Sequence, residues 1–134
     1  INENQVNFVP IFVSEEERIK YQELEQKYPN DTERFYKEMA DWRAANPDKR
    51  ANLAKVIDHI DYLVKKVGID CVGIGSDFEG FYFIADGLED VTKPIHLIAE
   101  LLKKGYSDED VKKIMGLNFL RVLKAAEEYA KNQK

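Results

Sequence analysis

Apolar positions along this chain alternate between short saturated runs and longer stripes at helical spacing, and that rhythm predicts its elements. Val6, Phe8, Val9, Ile11, Phe12 and Val13 make the first run, rich in strand formers on both faces, with Pro10 setting a bend or an edge inside it. Residues 1–13 therefore read as a buried strand. Ser14, followed by Glu15, Glu16 and Glu17, has the form of a capping box in which Ser14 accepts from a first-turn amide and Glu17 reaches back. A helix is expected from there to Lys27, ended by Tyr28-Pro29-Asn30-Asp31 because the residue before proline is pushed out of helical geometry. From Thr32 to Ala45, Phe35, Met39 and Trp42 draw one apolar packing stripe along a charged helix, and Asn46-Pro47-Asp48 breaks the chain again. Residues 14–48 thus form a polar helical insertion.

The most regular stripe lies within 49–68, where Leu53, Val56, Ile57, Ile60, Leu63, Val64 and Val67 close one face of a helix that Gly68 stops. His59 falls on one flank of that face, as a hydrogen-bonded boundary residue or a ligand; no second histidine follows at i+4 to make a helical metal pair. Cys71 to Ile74 form the second run, which ends abruptly in Gly75-Ser76-Asp77-Phe78-Glu79-Gly80, so 69–80 reads as a strand and its loop. Strand, helix, strand is the βαβ rhythm of a parallel sheet. Phe81 to Ile84 form an apolar patch in a loop, Ala85 to Val91 return to turn chemistry, and 92–131 carries the C-terminal helices. Pro94 opens the first of these, with Ile95, Ile98, Leu101 and Leu102 as its apolar face, and Ser107 caps the next. Asn118 is placed as the cap of the last, whose face is Phe119, Leu120, Leu123, Ala126 and Ala130.

Composition narrows the partners. The 134 residues are 44% hydrophobic and 34% charged, which suits a folded globular unit, and a net charge of -5 offers no basic field for nucleic acid or an anionic membrane surface. No apolar run approaches the roughly 20 residues that span a bilayer, and no signal-like segment opens the chain. The lone Cys71 has no internal disulfide partner and reads as an inert core thiol. The chain begins at Ile1 and passes almost at once into an apolar run, which suggests a cut through a longer protein.

Chemistry points to the end of the second run. Gly73 and Gly75 lack the third glycine of a dinucleotide fingerprint, since Phe78 stands there, and Asp77 with Glu79 lacks the spacing of a calcium loop. What remains is a carboxylate, Asp77, where a buried strand gives out into a loop. It is either a metal-ligating or proton-transferring group at the mouth of a barrel or sheet, or an Asp that caps the turn.

The runs Asp58-His59-Ile60-Asp61-Tyr62, Val67-Gly68-Ile69-Asp70, Val72-Gly73-Ile74-Gly75-Ser76-Asp77-Phe78-Glu79-Gly80, Gly87-Leu88-Glu89-Asp90-Val91, Gly105-Tyr106-Ser107-Asp108-Glu109-Asp110-Val111 and Asn118-Phe119-Leu120-Arg121-Val122 resemble the C-terminal part of the membrane (renal-type) dipeptidase family. Asn7-Phe8-Val9-Pro10 is similar to the family's penultimate barrel strand. The resemblance implies an α/β fold, the C-terminal part of a TIM-type barrel: strand seven, strand eight and the terminal helices, short of the about 250 residues of a whole barrel. It also implies hydrolysis of dipeptides with two bridged zinc ions, which lower the pKa of a shared water and polarise the scissile carbonyl. Asp77 matches the family's acidic residue at the end of the last strand, which handles the proton for the nucleophilic water and the leaving amine. Three departures stand out: Glu79 replaces a usual aspartate, Phe81-Tyr82-Phe83 a small-residue loop, and Cys71 a common histidine. The family's metal-binding residues and its substrate-binding arginine all lie upstream, and His59 and His96 have no spacing suited to zinc. The expectation is a chain with no metal site of its own, inactive without the N-terminal part of the same enzyme. The alternative is a non-catalytic fragment that self-associates through exposed strand edges into a homo-oligomer.

Overall fold

The computed structural model describes residues 4–133, so the first three positions of the expected strand lie outside the described residues. Two four-residue strands, β1 (Asn4–Asn7) and β2 (Val72–Gly75), pair in parallel with Asn4 opposite Val72 and Asn7 opposite Gly75. The remainder is mostly helical: α1 (Pro10–Val13), α2 (Glu15–Lys27), α3 (Thr32–Ala45) and α4 (Leu53–Val67) lie between the strands. After β2 come α5 (Pro94–Lys103), α6 (Asp108–Lys112) and α7 (Asn118–Asn132). No helix among the described residues is long and apolar enough to cross a membrane.

The first strand is shorter than its apolar run. Val6–Val13 was expected to be strand throughout, but β1 ends at Asn7 and Pro10 starts a helical turn closed by the Ser14 N–H donating to the Pro10 carbonyl at 2.8 Å. Proline has no N–H for a sheet ladder and its fixed φ suits the first position of a helix. The Asn7 side chain takes the Val9 N–H at 2.6 Å, which removes that donor from the ladder as well. Asn4 and Gln5 are exposed, so the strand is not covered on both faces.

Two further expectations are corrected. Ser14 does cap α2, but Glu17 does not reach back to it; the Glu17 carboxylate is fully buried and binds Arg43 and the Ala51 N–H instead. Asn118 caps nothing. Its amide donates to the carbonyls of Ile69 (2.8 Å) and Val72 (2.9 Å), tying the start of α7 to the start of β2, while Gly116 (φ 159°, ψ -20°) breaks helical geometry just before it.

The main core gathers Val6 and Phe8 from the first strand region, Val56 and Ile60 from α4, Val72 from β2 and Leu97 from α5. A smaller core of Leu24, Phe35 and Met39, flanked by Tyr21, Tyr36 and Phe83, holds α2 and α3 together beside the loop after β2. That loop returns to the strand side: Ala85 N–H donates to the Phe8 carbonyl, and Asp86 N–H to that of Ala51, each at 2.9 Å. Arg43 reinforces the seam by donating to Asp86 at 2.9 Å. Cys71 sits in a short turn ahead of β2, half-buried, rather than within the strand.

Candidate active site

The parallel register sets the C-terminal ends of β1 and β2 side by side, where ligands bind in parallel α/β sheets. Gly75 permits this close pairing: a Cβ there would stand 2.8 Å from Gln5 Oε1 and 3.1 Å from its Cβ. Two residues on, Asp77 adopts the left-handed region with φ 54°, and Glu79 does so with φ 65°. Each such non-glycine conformation costs on the order of 1 kcal/mol or more, and such residues cluster at functional sites. The turn is closed by the Gly80 N–H donating to the Asp77 carbonyl at 3.1 Å. Asp77 is exposed, and its carboxylate accepts a hydrogen bond from the Asn7 side chain through Oδ2. Phe78 points back into the fold, edge-on to Phe8 with ring centroids 6.0 Å apart.

The loop after Asp77 forms an aromatic wall. Phe81 meets Phe12 edge-on at 6.4 Å, and Tyr82 stacks on Tyr36 of α3 at 4.6 Å. The helical insertion thereby packs against the loop that carries Asp77, and Arg43 adds its guanidinium over the Phe83 ring at 5.0 Å. Phe83 is half-buried against the smaller core, while Phe81 and Tyr82 make these ring contacts from exposed positions.

His59, on α4, is half-buried, and its Nδ1 is buried without a hydrogen-bond partner among the described residues. His96 is exposed on α5. Neither joins Asp77 in a metal-binding group: among the described residues, no set of three or more His, Cys, Asp or Glu side chains is arranged to hold an ion. The described residues therefore do not fit a zinc centre on their own. Asn7, whose side chain meets Asp77, was not singled out from the sequence; the signal available was a polar residue interrupting the apolar run between Val6 and Phe8.

A family model described as membrane dipeptidase (peptidase family M19) matches residues 4–134. The chain belongs to that family. Among curated relatives, dipeptidase verJ of Clonostachys rogersoniana is 49% identical over 82 residues, covering 61% of this chain and 21% of its own length. Dipeptidase tcpJ of Claviceps purpurea is 40% identical over 93 residues, covering 69% of this chain and 22% of its own length. The crystal structure of the probable dipeptidase PvdM from Pseudomonas aeruginosa matches at 33% identity with a TM-score of 0.62, over 90% of this chain and 36% of that one. The chain thus spans about a fifth of the length of the curated relatives it matches.

Proposed function

We propose that this chain is the part of a metal-dependent dipeptidase barrel that contributes strands seven and eight and the helices after them, with Asp77 as the residue that moves the proton during hydrolysis of a dipeptide. The observation that carries this reading is the placement of Asp77: a carboxylate in left-handed backbone at the C-terminal end of a parallel strand, in a chain of the membrane dipeptidase family. An exposed carboxylate held by one hydrogen bond is accessible to a water and a leaving amine, as general acid–base chemistry requires. Zinc, the metal the resemblance implies, would be held by parts of the enzyme outside this chain, as would the remaining strands.

The test is Asp77→Asn in the full-length polypeptide that carries this segment. Asparagine keeps the shape and tolerates left-handed backbone, so the fold should persist. Dipeptide hydrolysis is expected to fall by roughly 100-fold or more, with the circular dichroism spectrum and Tm unchanged. Retained turnover in a folded Asp77→Asn enzyme overturns the assignment. The second reading, a non-catalytic self-associating fragment, draws on a different observation: β1 and β2 pair only with each other among the described residues, leaving both outer edges open.

A further inference from the structure

Asn7 and Asp77 are 70 residues apart in sequence and meet only because the strands pair in parallel with Asn7 opposite Gly75. Both ends of the Asn7 amide are engaged. Oδ1 accepts from the Val9 N–H at 2.6 Å, and Nδ2 donates to Asp77 Oδ2. The first bond fixes the second: with the oxygen committed to a backbone donor, the NH₂ group is the end that faces the carboxylate. Among the described residues no ion pair involves Asp77, so its orientation rests on this amide and on the left-handed turn beneath it. An exposed aspartate would otherwise turn freely about its side-chain bonds, and productive proton transfer needs it within hydrogen-bond reach of the reacting atoms.

We propose that Asn7 is a positioning residue for Asp77, its NH₂ group holding Oδ2 so that Oδ1 is the oxygen presented to the reaction. This rests on the proton-transfer reading of Asp77. Asn7 also has a structural task, the capping of the Val9 N–H, and the two tasks separate by substitution. Asn7→Asp keeps an acceptor for Val9 but replaces the donor to Asp77 with another carboxylate. Asn7→Ser keeps an acceptor two residues before Val9, is too short to reach Asp77 and adds no charge.

The experiment is steady-state kinetics of both variants in the full-length polypeptide with a dipeptide substrate, alongside Tm and the Asp77→Asn control. For each variant kcat is expected to fall about 10- to 100-fold, as for removal of a group that orients a functional residue, with KM within about twofold of the parent. Asn7→Ser keeps the test decisive should the paired carboxylates of Asn7→Asp unsettle the fold. Parental kcat in a folded Asn7→Ser enzyme overturns the proposal and leaves Asn7 as a cap. A rise in KM with kcat unchanged overturns it as well. If Asp77→Asn is inactive while both Asn7 variants are fully active, the Asn7 assignment alone falls; if Asp77→Asn itself is active, the underlying reading falls.

Discussion

Glu17 shows how a residue read locally acquires a different task in the folded chain. Ser14-Glu15-Glu16-Glu17 has the letters of a capping box, and the serine half of that reading is present, but the Glu17 carboxylate is fully buried between Arg43 of α3 and the Ala51 N–H. Burial pushes its carboxyl above the usual range, opposed by the Ala51 amide and the Arg43 charge. Arg43 goes on to Asp86, which also pairs with Arg50 at 2.9 Å, so four charged groups tie the insertion to the loop after β2. Glu17→Ala leaves the buried Arg43 short of one partner and the Ala51 N–H with none, and removing one member of a buried pair costs about 3 kcal/mol. Urea denaturation of the variant checks this; a loss under about 1 kcal/mol would mean that the pairing does not hold the helices in place. The place of Asp77 just past a strand end is legible because it depends on chain direction alone: an apolar strand ends and a carboxylate follows. Its partnership with Asn7 was not, because a bond between strand ends depends on register.

At the level of elements, α3 and α4 match the bounds their stripes predict, Thr32–Ala45 and the stretch from Leu53 to Val67 before Gly68. Each pairs a strong period with explicit ends, Asp31 and Asn52 as caps and Asn46 and Gly68 as stops. The first strand had no such end signal beyond Pro10, and the apolar residues from Ile11 to Val13 continue as a helical turn rather than a ladder. Helix α7 differs: Leu120 and Leu123, read as part of its apolar face, are 46% and 43% exposed, and the helix instead turns Asn118, Val122 and Ala125 inward. Strand pairing itself depends on Gly75. A Cβ there meets Gln5 Oε1 at 2.8 Å and Gln5 Cβ at 3.1 Å, and the second contact lies near the backbone where it yields little. Gly75→Val should therefore separate the strand ends and destabilise the fold by about 1–3 kcal/mol, with dipeptidase activity falling because Asn7 and Asp77 move apart. Unchanged activity and Tm in Gly75→Val would show that the close approach is not needed.

For the molecule as a whole, the described residues place the Asp77 carboxylate beyond the end of β2 and include no metal-binding group, and their sheet has two strands where a barrel has eight. Parallel strands are ordinarily covered on both faces, and a two-stranded sheet has little stability of its own. Here both outer edges are without a further strand among the described residues, and α7 exposes Phe119, Leu120 and Leu123. These surfaces are what the remaining strands and helices of a barrel would cover in our reading. The 134-residue chain expressed alone should bind no stoichiometric zinc by atomic spectroscopy after gel filtration, leave dipeptides uncleaved, and sediment as self-associated species that cover the open edges with copies of themselves. The full-length polypeptide should bind the metal and cleave. An isolated chain that is monomeric, binds zinc and turns over dipeptides would break both readings at once, since neither the missing ligands nor the open edges would then matter. A monomer without zinc or activity would remove self-association and leave the barrel-segment reading standing, because the incompleteness of the metal centre does not depend on what covers the strand edges.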